Sequence, residues 1–285
     1  MHGSRWQWDE TLYAGSAPFY SRGRLPYPAA LAGAVRDALG LDGTGRLLDV
    51  GCGPGSLTLL LAPLFEASVG VDADGGMTAE ARRLSGLAGP GDGRAAAIEW
   101  RVGRAEQLPA DWGTFRAVTF AQSFHWMDQP LVARRVRGML AADGTWVHVH
   151  PVPHRGAATG AQDALPHPSP PWPEINALIG SYLGPVRRAG RSTLPDGTAS
   201  GEEDVMLEAG FTGPRRVDVT GGQLVRRSAD DIVAAVFSLS SSAPHLFGDR
   251  LPAFEVELRA LLRGASPDDG FCEQIGDVEL VLWTP

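Results

Sequence analysis

The sequence predicts an α/β fold in which helices cover both faces of a doubly wound, mostly parallel sheet. Three observations predict it: short apolar runs recur, amphipathic segments separate them, and a glycine-rich turn follows the first run. Apolar strands that alternate with helices are typical of parallel sheets, because a crossover helix returns the chain to the same edge. The strand-like runs lie at 47–50, 68–72, 97–102, 117–121 and 145–150.

The remaining elements are predicted from composition and apolar spacing. Residues 29–39 have helix-forming composition with one apolar face, and Gly40 and Gly43 end that helix before the first strand. Further helices are expected from about Ser56, from about Gly75, over 129–139, over 202–209 and within 229–262. Strands are also expected at 215–219 and 278–283, and an apolar segment lies at 174–183.

Composition and charge exclude several classes of protein. All 25 basic residues are Arg, which excludes Schiff-base chemistry, a lysine general base and a Walker-type phosphate lysine. The net charge of -8 argues against nucleic acid as a partner, and Cys52 and Cys272 form no metal or disulfide pattern. Neither a signal peptide nor an apolar run of roughly 18 to 20 residues is present. We therefore expect a soluble cytoplasmic protein with a small-molecule partner and no membrane partner.

The glycine turn indicates the kind of ligand. It joins a buried strand to a helix, so its backbone can approach a nucleotide-like molecule at the carboxyl end of the strand. Its spacing is G-x-G-x-G, whereas nicotinamide dinucleotides favour G-x-G-x-x-G. Asp49 precedes the turn, and Asp72 ends the second strand, where a carboxylate accepts hydrogen bonds from ribose hydroxyls. These features predict a ligand that contains an adenosine ribose.

These motifs also carry a family resemblance. The string LLDVGCGPGSLTLLLA, followed by VGVDADGGMTAEAR, RAEQLP and FAQSFHWMD, resembles the class I S-adenosylmethionine (SAM)-dependent methyltransferases, in particular their small-molecule branch called type 11. The run YSRGRLPYP is similar to a segment of that branch that carries a Tyr and an Arg. The resemblance spans roughly residues 20–150. It implies a Rossmann-like sheet of seven strands with an antiparallel last strand, and SAM as the cofactor.

The resemblance also implies the organisation of the chain. The strands at 215–219 and 278–283 would complete the sheet, with a helical cap inserted between them. The predicted segments are an aromatic N-terminal arm or lid (1–28), a SAM-binding core (29–150), a loop excursion with a core helix and strand (151–222), the cap (223–270) and the final core strand (271–285).

Cofactor contacts follow from the resemblance by position. Asp49 would face the methionine ammonium, and Asp72 would hold the ribose. The other residues assigned to the cofactor are Tyr20, Arg24, Gly51, Gly53, Gly55, Ala73, Met77, Ala105, Glu106, Ala121 and Gln122. Arg104 departs from the family pattern, because many relatives carry Asp there to contact the adenine amino group. Glu106 or the backbone would replace that contact.

Histidines near the sheet edge are candidates for catalysis. His125 follows the fourth strand, where it could act as a general base, orient the substrate or be purely structural. His148 and His150 alternate on one face of the fifth strand, with His154 just beyond. Such a cluster suggests a metal, but no accompanying carboxylate pattern is visible, so no metal is predicted. A base role is predicted for His150 or His154 instead.

Aromatic residues are the predicted substrate contacts. These are Tyr13 in the arm and Phe124 and Trp126 after the fourth strand. Tyr13 and Tyr20 would close over the cofactor, since aromatic faces attract a sulfonium cation, although packing in the core is an alternative. The arm of a neighbouring copy would serve equally well, which would make the protein a homo-oligomer with exchanged arms.

The predicted function is methyl transfer from SAM to a small, apolar or aromatic metabolite of secondary metabolism, with the acceptor atom (O, N or C) open. One variant is carbon methylation of an alkene or terpenoid through a carbocation. The alternatives are a non-catalytic SAM-binding regulator and a nicotinamide-dependent oxidoreductase. The run from Ser169 to Trp172 resembles the SPPW-like loop of methyltransferases that act on nucleic-acid bases, but that loop belongs directly after the fourth strand.

Overall fold

A single large sheet organises the chain. The computed structural model describes residues 11–87, 97–151, 165–189, 192–194 and 201–285. The strands of the sheet are β1 (Arg46–Val50), β2 (Ala67–Asp72), β3 (Ala97–Val102), β4 (Phe115–Ala121), β5 (Leu140–Pro151), β8 (Thr212–Val219) and β11 (Val278–Thr284). Their order is β3-β2-β1-β4-β5-β11-β8, and β11 runs antiparallel to both of its neighbours. The predicted seven-stranded, mostly parallel sheet with an antiparallel last strand is therefore confirmed.

Helices cover both faces of this sheet. They are α1 (Ala17–Gly23), α2 (Leu31–Leu39), α3 (Ser56–Leu61), α4 (Gly75–Leu87), α5 (Gln129–Arg137), α6 (Trp172–Leu183), α7 (Glu202–Glu208), α8 (Ala229–Phe237) and α9 (Leu251–Ala265). Adjacent strand residues point to opposite faces, so Leu47 packs with α2 and α3, whereas Leu48 packs with α5 and α7. Two apolar cores result, one on each face.

A third apolar core lies in the cap. It joins α6, α8 and α9 through buried residues such as Ile175, Ile232 and Phe254. Two short strands, β9 (Leu224–Arg227) and β10 (Phe271–Gln274), pair antiparallel beside it. The sequence placed 271–285 in the core sheet, but only β11 belongs there. The reason is packing: the ring of Phe271 is fully buried in the cap cluster.

The remaining two strands form a separate small sheet. These are β6 (Arg187–Ala189) and β7 (Ser192–Leu194), which pair antiparallel. They and α6 fall within the segment that the sequence assigned to a loop excursion. The α6 helix packs with the cap rather than with the core sheet, because Ile175 and Ile179 lie in the cap cluster.

The N-terminal arm contains a helix that the sequence did not predict. Helix α1 packs against α8 of the cap, and Arg22 forms an ion pair with Asp231 at 2.6 Å. Arg227 of β9 donates to the Gly23 carbonyl at 2.9 Å and pairs with the buried Glu273 at 3.0 Å. The arm is thus tied to the cap of its own chain. Exchange of arms between copies stays a prediction.

Both cysteines are buried as free thiols, in different parts of the fold. Cys52 lies in the glycine loop and packs with Trp100, whereas Cys272 lies on β10 of the cap. Within the described ranges, every helix is too short or too polar to cross a membrane.

Candidate functional site

The glycine loop between β1 and α3 is fitted closely to its neighbours. Gly51, Gly53 and Gly55 all have positive φ angles. A β-carbon at Gly55 would lie 2.3 Å from the Trp100 ring, and one at Gly51 would lie 2.4 Å from Cβ of Ser123. A β-carbon at Gly53 would meet no described atom within 4 Å. Gly51 and Gly55 therefore allow close packing, whereas Gly53 borders open space.

Asp72 faces this loop from the end of β2. Its Oδ2 accepts a hydrogen bond from the Gly53 amide at 2.8 Å, and its Oδ1 accepts one from the Asp74 amide at 2.8 Å. Each carboxylate oxygen has a further lone pair that can accept a hydroxyl proton. Burial raises the pKa of Asp72 to about 6, so the carboxylate is mostly ionised at neutral pH.

A cavity of about 670 Å³ lies beside the loop and Asp72. It opens at the carboxyl ends of the strands, where open α/β sheets bind their ligands. The predicted cofactor residues that line it are Tyr20, Gly51, Gly53, Asp72, Ala73, Met77, Ala105, Glu106, Ala121 and Gln122.

Aromatic rings form one wall of this cavity. Tyr13 lies edge-on to Tyr20 at 6.3 Å and to Trp126 at 6.1 Å, measured between ring centroids. Burial raises the pKa of Tyr13, so its hydroxyl stays neutral. Tyr13 and Trp126, predicted to contact substrate, therefore share one cavity with the predicted cofactor residues.

A second cavity of about 600 Å³ adjoins the first and shares Tyr20, Ala121 and Gln122 with it. Arg24 lines this cavity, with its guanidinium carbon 4.7 Å from the centroid of the Tyr20 ring. Its Nη2 donates to the Ser238 carbonyl at 3.0 Å. Its buried Nε has no hydrogen-bond partner among the described residues. Arg24 can therefore supply a cationic donor here.

Histidines line a third cavity, of about 1170 Å³, which meets the first at Gln122. His125, His148 and His150 all face it, and His150 Nδ1 lies 3.2 Å from the Gln122 amide nitrogen. Burial lowers the pKa of His125 to about 4 and that of His148 to about 3. Burial also lowers the pKa of His150. All three imidazoles are therefore neutral at pH 7, the form that accepts a proton or binds a metal.

Comparison with known proteins identifies the core. The family described as "Methyltransferase domain" matches residues 47–144. Residues 47–144 are thus similar to the methyltransferase domains of this family, and we call them the methyltransferase domain below. A protein named as a methyltransferase in Dictyostelium discoideum is 24% identical over 100 residues, which cover 35% of this chain and 34% of that protein. The chain thus spans about a third of the length of this curated relative.

One solved structure shares the fold of this chain. The [4+2]-cyclase SpnF has a TM-score of 0.51 at 19% identity, over 97% of this chain and 94% of its own. YcgJ of Bacillus subtilis has a TM-score of 0.48 at 16% identity, over 89% of this chain and 97% of its own. The likeness to SpnF concerns the fold alone.

The family and the fold imply SAM as the cofactor of the methyltransferase domain. The residues present fit such a group. The Asp72 carboxylate can accept ribose hydroxyls, Gly53 leaves its side of the loop open, and the Arg24 Nε is unpartnered among the described residues. Glu106 is more constrained, because it already accepts from the Asp128 amide at 2.9 Å.

Three predicted residues of the methyltransferase domain lie outside the cavities. Asp49 shares a strand face with Leu47, so its carboxylate meets α3 and accepts from Thr58 and Thr119 at 2.6 and 2.7 Å. It is 1% exposed, and its carboxylate links α3 to β4 instead of lining the cavity. Gly55 likewise packs on the Trp100 ring.

Phe124 is the third, and it differs from its predicted role as a substrate contact. Its ring lies in the core, 5.4 Å from Phe120 and 5.0 Å from Trp146, and the residue is 2% exposed. A short helical turn at Phe124–Trp126 explains the difference, because it directs Phe124 inward while Trp126 reaches the cavity. His154 lies outside the described residues.

Glu202 is a site residue that the sequence analysis missed. It begins α7 and lies beside two histidines of β5, with Oε2 3.8 Å from His148 Nδ1 and 3.9 Å from His150 Nε2. It stands 52 and 54 positions away from these histidines in the chain, so no local spacing could reveal the contact. Arg216 also lines this cavity, but its guanidinium is engaged by Glu203 and Glu279.

Proposed function

We propose that the protein is a SAM-dependent methyltransferase that acts on a small, apolar or aromatic metabolite. The observation that carries this proposal is the cavity beside the glycine loop, which joins Asp72 at one side to an aromatic wall at the other. When bound, SAM would supply an electrophilic methyl group on a sulfonium. The chain's own residues would bind the cofactor, orient the acceptor and exclude water.

Asp72 and Arg24 would hold the two polar ends of the cofactor. The Asp72 carboxylate would accept hydrogen bonds from the ribose hydroxyls. Arg24 would pair with the methionine carboxylate, since its Nε is unpartnered among the described residues and its cavity adjoins the first. Ala73, Met77 and Ala105 would pack against the adenine ring.

The aromatic wall would serve both the cofactor and the acceptor. The faces of Tyr13, Tyr20 and Trp126 attract a cation, which favours binding of a sulfonium. The same rings offer an apolar surface to the acceptor and keep water from the reacting atoms. An apolar or aromatic acceptor follows from this wall.

A base is needed only if the acceptor carries a proton that must leave. His125 and His150 are neutral at pH 7 and line the adjoining cavity. His150 contacts Gln122, which lines both cavities. His125 could take the proton of a hydroxyl acceptor, as could His150 in the metal-free protein, whereas an alkene or a neutral amine needs no base.

Calorimetric titration of the purified protein with SAM, S-adenosylhomocysteine and NAD, each separately, tests the proposal. We expect micromolar binding of SAM and S-adenosylhomocysteine and no heat from NAD. Release of S-adenosylhomocysteine with a panel of small aromatic acceptors would then identify the reaction. Binding of NAD alone would contradict the cofactor. Tight SAM binding without turnover of any acceptor would favour a non-catalytic role, which matters because SpnF, a cyclase, shares the fold.

A further inference from the structure

We propose that His148, His150 and Glu202 form a binding site for a divalent transition-metal ion. The two histidines come from β5, and the carboxylate comes from the first residue of α7. One potential ligand atom from each residue lies within 4.8 Å of the others. Two imidazoles and one carboxylate form a common protein ligand set for zinc and for non-haem iron.

The geometry of β5 places the two histidines side by side. His148 and His150 are two positions apart on β5, so both side chains project from the same face of the sheet. Their rings are stacked, with centroids 5.5 Å apart and planes 17° from parallel. Nδ1 of His148 and Nε2 of His150 therefore both reach Oε2 of Glu202, at 3.8 and 3.9 Å.

These distances do not describe hydrogen bonds. They exceed the limit of about 3.2 Å for N–H···O bonds, so neither imidazole is paired with the carboxylate. Metal–ligand bonds of about 2.0–2.2 Å would place two ligands of a tetrahedral ion roughly 3.3–3.5 Å apart. The two contacts would thus shorten by about half an ångström. The Glu202 side chain is 23% exposed and has room to make that adjustment.

Among the described residues, the carboxylate of the cluster has few competing partners. The described residues include no arginine that forms an ion pair with Glu202, and its remaining contact is the Gln129 amide at 3.5 Å. Arg216 faces the same cavity but is occupied by Glu203 and Glu279. A half-buried carboxylate beside two imidazoles favours a bound cation.

His150 also has an outer partner, as metal-bound histidines usually do. Its Nδ1 lies 3.2 Å from the amide nitrogen of Gln122. With that amide turned by 180°, its oxygen would accept a hydrogen bond from Nδ1–H while Nε2 binds the metal beside Glu202. Since Gln122 lines the cofactor cavity too, the metal would lie next to the bound cofactor. Three protein ligands leave at least one coordination position open to the cavity.

The open position indicates a substrate class, and this step rests on the proposed methyl transfer. A hard or borderline divalent ion in a site of this kind binds oxygen donors. We therefore infer that the methyl acceptor carries a hydroxyl, carboxylate or carbonyl oxygen that binds the metal. Its apolar part would lie against the aromatic wall.

Metal binding is tested without SAM, so the result does not depend on the proposed activity. The protein is stripped with a chelator and titrated with Zn²⁺ by calorimetry and with Co²⁺ by visible absorption. We compare wild type, Glu202→Gln and Glu203→Gln. Glu203 is a matched control, because it lines the same cavity next in sequence but is paired with Arg216.

Wild type should bind one Zn²⁺ per chain and give the Co²⁺ bands of a mixed histidine and carboxylate site. Glu202→Gln should weaken Zn²⁺ binding at least about tenfold, and Glu203→Gln should change it less than about twofold. A His150→Ala variant, checked for folding by circular dichroism, should lose the Co²⁺ bands. Stoichiometric binding that is equal in all variants, or none in wild type, would overturn the site. A separate SAM titration tells this outcome apart from failure of the proposed function.

The substrate class has its own measurement. Binding of an oxygen-bearing aromatic acceptor should perturb the Co²⁺ spectrum in wild type, whereas an acceptor of the same shape without the oxygen should not. Identical spectra with both molecules would overturn the inferred coordination while leaving the metal site intact.

Discussion

Gly23 of the arm lies directly against the backbone of Ala234 in the cap. A β-carbon at Gly23 would stand 2.3 Å from the Ala234 carbonyl oxygen. The contact joins α1 to α8, and the ion pair of Arg22 with Asp231 lies beside it. Because α1 also carries Tyr20, the docking of the arm fixes part of the cavity beside the glycine loop.

Gly23→Ala should loosen the arm. We expect a loss of about 1–3 kcal/mol in the free energy of unfolding from overpacking against backbone. SAM affinity should fall as well, since Tyr20 would shift. Gly33→Ala is the control, because a β-carbon there meets no described atom within 4 Å and α2 should gain stability. Equal thermal stability and SAM affinity for the two variants would contradict the docking.

Two variants of the glycine loop should affect different properties, one mainly the stability of the protein and the other mainly its affinity for SAM. Gly55→Ala combines a strained positive φ with a clash against Trp100, so we expect a loss of about 2–5 kcal/mol in the free energy of unfolding. Gly53→Ala should cost only about 1–2 kcal/mol for its φ, but its methyl group would project towards the cavity and weaken SAM binding. Denaturant titration and calorimetry measure the two effects. A Gly53→Ala variant with wild-type SAM affinity would show that the cofactor does not approach the loop.

Asp72→Ala should weaken SAM binding by about 1–3 kcal/mol, through loss of charge-assisted hydrogen bonds. Calorimetry with SAM measures this change. Asp42→Asn serves as the control, because Asp42 lies before β1, away from the carboxyl edge, and accepts hydrogen bonds from Thr44. Unchanged affinity in Asp72→Ala would remove Asp72 from the cofactor site.

The same carboxyl group predicts a pH dependence. Burial raises the pKa of Asp72 to about 6, above the value of about 3.9 in an unfolded chain. The folded state holds this proton more tightly, so the stabilising contribution is complete below about pH 4 and is lost as pH rises through 6. The ionised Asp72 carboxylate accepts ribose hydroxyls better than the protonated form does. The affinity for SAM should therefore be lower at pH 5 than at pH 7. Asp72→Asn should remove that part of the difference, and an identical pH profile in the variant would exclude Asp72 as the cause.

The buried ion pair in the cap gives a further prediction. Arg227 and Glu273 have side chains only 5% and 2% exposed, and Trp172 also donates to Glu273 at 3.0 Å. Glu273→Gln should destabilise the protein by about 3–5 kcal/mol, because it leaves the buried guanidinium without its counter-charge. Thermal unfolding measures this loss. The double variant Arg227→Met, Glu273→Leu should lose less stability than Glu273→Gln alone. A larger loss in the double variant would contradict the explanation.

The sequence predicted the core well because the core is periodic. Strands that contain apolar residues such as Leu47 and Val69 alternate with helices within short stretches of the sequence. The glycine turn between β1 and α3 also follows from local spacing. The cap was harder to predict. Phe271 fits the pattern of a core strand equally well, and only contacts with residues such as Phe254 assign it to the cap.

Most residues that the resemblance assigned to the cofactor line the first cavity, but the direction of one side chain and one contact between distant elements did not follow from the sequence. Asp49 occupies the position that the family pattern suggests, but the alternation of β1 directs its carboxylate to Thr58 and Thr119. Glu202 shows the opposite case. Nothing near it in the chain marks it, and its importance arises because the sheet brings α7 beside His148 and His150.

The two buried cysteines give the molecule a pair of intrinsic reporters. Cys52 lies in the glycine loop and Cys272 lies in the cap, so each thiol can react with an alkylating reagent only when its own region opens. Labelling rates followed by mass spectrometry would therefore measure the local opening of the core and of the cap separately, without an introduced probe. A ligand that slows modification of Cys52 alone acts on the loop, and one that slows both also holds the cap in place.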